Sequence, residues 1–396
     1  MKRGKKTKAV AARASAPKIA PKSEARTAAA PAPAVPVKRL LVYLGIYLLW
    51  IAASYLLTSG LQQQGSWLDS WMKWDADWYS RIWHEGYRPE DPRALVFPPG
   101  YPMIAGFLST LLPIGFDATG VLLNALCFFL GTFLAAEFVG KRFAIPPVLI
   151  FVLALSAPAS YFVFTTYSDA LFYLLFWGAI VLMHSESKSL MVQVSRVGLL
   201  LLIPWVRITG YALAAWLLLR RWSAAALLLS LVGWLGFNWF LAGDPLYFLK
   251  AQQLFAMPQG NIIDGFLYSF AALTTIPQAK AEAWTNYLQF HVLPALYFVG
   301  LATAGIWLCV RKQWMLGLAL LAVLVMSHNQ SFWRSAVRYD LPLIPLLLVP
   351  ATTLFKKNAS RERVIAGAMI FGVVIALQFA LQIYFANLFK SGLWGF

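Results

Sequence analysis

Uninterrupted apolar runs recur along this chain from Leu40 to Phe389, and several reach the roughly 20 residues that an α-helix needs to cross a bilayer. A soluble fold cannot absorb them. The composition agrees: 60% of the 396 residues are hydrophobic and 12% are charged, against about 25% charged in an ordinary soluble protein. Most of the length must therefore sit in lipid as helices, with no sizeable soluble domain. Cys127 and Cys309 both lie inside apolar runs, so there is no disulfide framework or zinc spacing, and they read as buried apolar thiols.

The formal net charge is +17, unevenly spread. Residues 1–39 carry eleven Lys or Arg and one acid, Glu24, among many Ala and Pro, with no hydrophobic periodicity. That segment is expected to be a disordered basic tail. A nucleic-acid arm is one reading of such a tail. Anchoring on anionic lipid and setting topology is the stronger one, because the tail runs directly into the first apolar run. It is too long, and lacks a small-residue cleavage site near its apolar stretch, to be a cleaved signal peptide.

Spans are expected at 40–58, 118–139, 146–164, 168–183, 190–206, 209–219, 222–242, 291–310, 314–328, 341–355 and 364–385, eleven in all. With the tail inside, alternation puts 23 Lys or Arg and four acids on the inner face, and 10 Lys or Arg and 12 acids on the outer. The positive-inside rule thus fixes a cytoplasmic N-terminus. Residues 97–113 have the apolar character of a span but fall short of its length, and they either cross or dip in and return. Runs 209–219 and 341–355 are short as well, as tilted partners or half-helices lining a cavity would be.

Chemistry concentrates on the expected outer face. Loop 59–97 interleaves aromatics and charges in Trp71-Met72-Lys73-Trp74-Asp75-Ala76-Asp77-Trp78-Tyr79, and the spacing predicts a helix with Trp71, Trp74 and Trp78 on one interfacial stripe. Further polar residues stand at outer span ends: Tyr167-Ser168-Asp169, Arg207, and Arg334, Arg338 and Asp340. Charges at bilayer depth cost about 2.5–3.5 kcal/mol each, so these need partners or a purpose. Either they form structural ion pairs, or they converge on one wet cavity. Transfer of a sugar from a lipid phosphate would use every part of such a cavity. A carboxylate takes the acceptor's proton, arginines hold the departing phosphate, the spans hold the lipid tail, and aromatic faces stack on the sugar.

Lys73-Trp74-Asp75-Ala76-Asp77-Trp78-Tyr79 with Gly86-Tyr87 resembles the first-loop motif of the GPI mannosyltransferase II family, a branch of the GT-C glycosyltransferases. Phe97-Pro98-Pro99-Gly100-Tyr101-Pro102 is similar to that family's proline-rich start of the next segment. Ser156-Ala157-Pro158-Ala159 with Tyr167-Ser168-Asp169-Ala170-Leu171-Phe172 is similar to its S-P-A and Y-S-E-A-L-F pair, and Val206-Arg207-Ile208-Thr209-Gly210 to its later Arg-x-x-Gly motif. Asp169 stands where the family has Glu, and nothing beyond residue 210 matches.

The resemblance implies an all-α polytopic GT-C-type bundle of about eleven transmembrane helices, with a helical first extracytoplasmic loop. The catalytic membrane module would cover 40–242, followed by an outer loop at 243–290 and C-terminal helices over 291–396. It implies inverting transfer of mannose or another hexose from a polyprenyl-phosphate-sugar donor to a glycan or glycolipid acceptor, outside the cytoplasmic face. Asp75 would be the base, with Asp77 in that role as the alternative. Asp169 would position Asp75 or the acceptor, or else cap its helix. Arg207, Arg334 and Arg338 would bind the donor phosphate, and Trp74, Tyr79, Tyr101 and Tyr167 would contact substrate. No metal or other cofactor is expected, because arginines suffice for a monophosphate leaving group. The lone His84 reads as an ordinary hydrogen-bonding residue, as do His184, His291 and His328. The short Ala/Pro/Lys-tailed chain suggests a prokaryotic plasma-membrane protein that contacts membrane lipids and no nucleic acid. The rival class is a polytopic transporter or flippase for an anionic or lipid-linked solute, which would want midplane charges and internal repeats. Neither is evident in the sequence.

Overall fold

The computed structural model describes residues 36–59, 66–218, 221–254, 281–328, 335–355 and 360–393, together with isolated positions between 267 and 277. Residues 1–35 of the basic tail, Arg334 and much of the expected loop 243–290 lie outside the described residues. Among the described residues the chain is helical throughout, without strands.

Helix α1 is Val37–Ser59. It starts directly after Pro36, whose carbonyl accepts the Arg39 N–H at 2.8 Å. Tyr43, Tyr47, Trp50, Ser54 and Thr58 recur every three or four residues, and that face alone is buried. Leu41, Val42, Leu48, Leu49 and Leu56 are exposed on the others, as lipid contact requires. The chain continues through α2 (Asp75–Glu85), α3 (Gly100–Leu111), α4 (Phe116–Phe143), α5 (Pro147–Ser156), α6 (Asp169–His184) and α7 (Leu190–Val206). A 3₁₀ stretch, Ile208–Leu218, leads to α8 (Arg221–Ala242) and α9 (Tyr247–Gln253). The later part contains Leu293–Val310, Trp314–Ser327, 3₁₀ turns from Leu341 to Phe355, and Arg361–Lys390.

Among the described residues, five helices are long and apolar enough to cross a membrane: Val37–Ser59, Phe116–Phe143, Ala224–Ala242, Ala283–Val310 and Val364–Lys390. The chain is an integral membrane protein by that measure. Of the eleven expected spans, five coincide with these helices and five with apolar helices of 10–17 residues, while 209–219 falls on the 3₁₀ stretch. The division has a physical basis. The long helices carry exposed apolar faces, whereas the short α5 and α6 are mostly buried. Irregular backbone is tolerated at membrane depth only where protein surrounds it. Prolines account for part of the irregularity, with Pro342, Pro345 and Pro350 all in the 3₁₀ turns.

The undecided segment 97–113 forms α3. Its 12 residues span about 18 Å, well short of the roughly 30 Å hydrocarbon core, so it does not cross as a single helix. Small residues set the closest packing. A Cβ on Gly131 of α4 would lie 2.5 Å from the Tyr173 ring of α6, which is how these two helices approach so closely.

The expected Trp stripe is not formed. The first loop is helical, but α2 begins only at Asp75. Trp71 belongs to a separate 3₁₀ turn and is wholly buried against Tyr161, Phe164 and Phe389. Trp74 sits at the turn between and is partly exposed, and Trp78 stacks on Phe97. Tertiary burial of the Trp71 ring thus overrode helical spacing.

Candidate functional site

Asp75 is the first residue of α2, presented by a strained turn. Trp74 before it has φ 56°, a conformation rare for any residue with a side chain. Tyr167 holds that turn closed: its hydroxyl accepts the Asp75 N–H at 3.1 Å and donates to the Lys73 carbonyl at 3.1 Å. Tyr167 is itself fixed by Asn124 of α4, whose amide donates to the carbonyls of Thr165 at 2.6 Å and Tyr167 at 2.9 Å. The Thr165 hydroxyl donates to the Trp71 carbonyl at 2.7 Å, so the loop and the α5–α6 connection are one unit.

The Asp75 carboxylate accepts from Arg338 Nη1 at 2.9 Å, across 263 positions of sequence. Asp169 opens α6, where a carboxylate suits the helix dipole. The N-cap position is taken by Ser168, whose side chain makes no capping bond. Asp169 pairs with Arg207, and Arg338 Nε stands 3.8 Å from its Oδ1. The four groups alternate in sign: Asp75, Arg338, Asp169, Arg207. Their side chains are 19%, 5%, 5% and 12% exposed, so the charges are desolvated and mutually compensated. Tyr339 lies under both guanidiniums, 4.3 Å from that of Arg207 and 5.0 Å from that of Arg338, each measured to the ring centroid.

Asp75, Arg207 and Arg338 all face a cavity of about 240 Å³, walled also by Tyr79, Phe97, Pro98, Ser168, Thr209, Phe248 and Gln252. The Phe97-Pro98 stretch therefore serves as wall. Tyr79 donates to Ser168 Oγ at 2.9 Å, which orients it on the cavity surface. Tyr101 is fully buried behind Tyr79, ring centroids 5.0 Å apart. Tyr167 acts through the Asp75 backbone, and neither Trp74 nor Tyr101 is in the cavity wall. Asp77 also lies outside that wall and is exposed. Partial desolvation of its carboxyl by the neighbouring chain still outweighs the pull of Lys73 and Arg81 and raises its pKa above the ordinary value. Arg334 lies outside the described residues. His84 sits against Phe116, and among the described residues no three His, Cys, Asp or Glu are grouped to hold a metal ion.

Asp340 forms no ion pair with an arginine among the described residues, and His328 Nε2 stands 3.6 Å from its carboxylate. Asp340 is buried and accepts from Ser327 Oγ at 2.8 Å, tying the one-turn helix Ala336–Tyr339 to the end of Trp314–Ser327. Sequence reading missed Asn124, Gln252 and Tyr339. Only Asn124 left a signal there, as a lone amide in an apolar run. Comparison of the chain with known protein families, curated proteins and solved structures gives no match.

Proposed function

We propose that the protein is a membrane glycosyltransferase that moves a hexose, mannose by the family resemblance, from a polyprenyl-phosphate donor to a lipid-linked or glycan acceptor on the extracytoplasmic side. The observation that carries this reading is Asp75 hydrogen-bonded to Arg338 on the wall of a cavity that also holds Arg207. The acceptor hydroxyl attacks the anomeric carbon as the bond to the phosphate oxygen breaks, and the bonding pair leaves with the polyprenyl phosphate. The hydroxyl proton passes to Asp75. Protonation cancels the Asp75 charge and so frees Arg338 at the moment negative charge grows on the leaving phosphate. Arg207 offers the second fork, with Asp169 holding both guanidiniums in place between turnovers. Tyr79 and Phe97 supply ring faces for the sugar.

The test is transfer of labelled mannose from polyprenyl-phosphate-mannose by purified protein in the presence of membrane extract. Appearance of labelled acceptor, lost in Asp75→Asn, is expected. Absence of transfer, with protein-dependent movement of the lipid-linked sugar across sealed vesicles instead, would replace the enzyme by the transporter reading.

A further inference from the structure

A second polar cavity lies at the other end of α4. Asn124, which braces the candidate site, and Arg142 are 18 residues apart on that helix, about 27 Å at about 1.5 Å per residue and close to one hydrocarbon thickness. Arg142, Phe143, Trp307, Arg311, Gln313 and Thr352 line this cavity. Among the described residues it contains two guanidiniums, an amide and a hydroxyl, and no carboxylate.

The two arginines are oriented but not neutralised. Arg142 Nε donates to Gln313 Oε1 at 3.0 Å and Nη2 bonds the same oxygen, which leaves its other N–H groups uncommitted to that bond. The Arg311 guanidinium stacks 5.1 Å from the Trp307 ring centroid. Neither arginine has an ion pair among the described residues. Glu137, one turn before Lys141, is already shared by Arg39 at 3.3 Å and Lys141 at 3.2 Å. Beside the cavity the surface is greasy: Ile306, Val310 and Trp314 are 58%, 74% and 55% exposed. Two forks that accept a phosphate, next to an apolar helix face, match a phospholipid with its headgroup in the cavity and its chains along that face.

We propose that the cavity between Arg142 and Arg311 binds the phosphate of an anionic phospholipid in the leaflet opposite the candidate site. The chemistry shared with a free anion is the phosphate held by two guanidiniums; the acyl chains distinguish the lipid. The assignment needs the chain to be a membrane protein but not a glycosyltransferase.

Native mass spectrometry of the detergent-solubilised full chain, with phosphatidylglycerol, phosphatidylcholine or inorganic phosphate added, tests it. Wild type should retain phosphatidylglycerol in preference to phosphatidylcholine. Arg142→Gln with Arg311→Gln should lower retention about tenfold or more, since each lost bond to a charged group weakens binding by roughly that factor. The lipid-free melting temperature of each preparation reports folding. Should the double variant not fold, Arg311→Gln alone serves, because among the described residues that side chain makes a ring contact and no hydrogen bond. Undiminished phosphatidylglycerol retention in a folded variant overturns the proposal. So does displacement of the lipid by millimolar inorganic phosphate, which marks a free-anion site.

Discussion

Asp75 and Asp77 are two residues apart and differ in almost everything that bears on chemistry. One is hydrogen-bonded to a buried arginine on a cavity wall, the other exposed outside it. Asp75→Asn should therefore lower transfer by about 10²–10⁴ while the protein stays folded, measured as turnover per folded molecule. Asp77→Asn should hurt less, and its stability effect has a definite sign. A carboxyl whose pKa is raised in the folded state binds its proton more tightly there than in the unfolded chain, so ionising it costs stability as pH rises through the ordinary carboxylate value and above. The Asn variant should melt no lower than wild type at pH 8, and any advantage should shrink on acidification to below about pH 4. An advantage that grows on acidification would contradict the assigned desolvation. Arg338→Lys tests the fork: one ammonium cannot serve Asp75 and Asp169 together. Donor kcat/KM should fall about tenfold to hundredfold. A lower melting temperature with unchanged donor kinetics would make this arginine purely structural.

The elements meet at the cavity through close backbone approaches. A Cβ on Gly100, at the start of α3, would stand 2.7 Å from the Trp205 carbonyl oxygen near the end of α7. Backbone cannot rotate aside as a side chain can, so Gly100→Ala should push α3 from the residues that lead into Arg207. Overpacking of this kind costs about 1–3 kcal/mol, and thermal melting together with transfer rate should register it. A melting temperature equal to wild type would show that the approach is looser than described. At this scale the sequence was legible where local chemistry decides. Apolar length located α1, α4 and α8. It was illegible where distant residues decide. Helical spacing joined Trp71 to Trp74 and Trp78, but Trp71 is claimed by Phe164 and by Phe389, more than 300 positions away. The pairing of Asp75 with Arg338 was likewise hidden, since nothing in either segment names its partner. Asp340, read beside Arg338, proved to belong to Ser327.

Across the whole molecule, acids and arginines gather around one cavity and uncompensated arginines around another, about one membrane thickness apart along α4. The 23-to-4 distribution of basic and acidic residues is the ground for the proposed orientation, in which the second end would face the cytoplasm. Cysteines introduced singly at Gln63 and Gln278 should react with a membrane-impermeant thiol reagent in intact cells, while one at Ser187 should not. Labelling at Ser187 alone would reverse the orientation. The last helix also bears on the first loop. Lys390 Nζ donates to the Thr58 carbonyl at 2.5 Å, and the Phe389 ring packs on Trp71, Tyr161, Phe162 and Tyr167. The support beneath Asp75, through Tyr167, thus includes a ring more than 300 positions further along the chain. A chain cut short of Phe389 would hold every site residue described above and still lack the ring that packs on Tyr167, so the geometry at Asp75 depends on a helix that contributes nothing to the cavity wall.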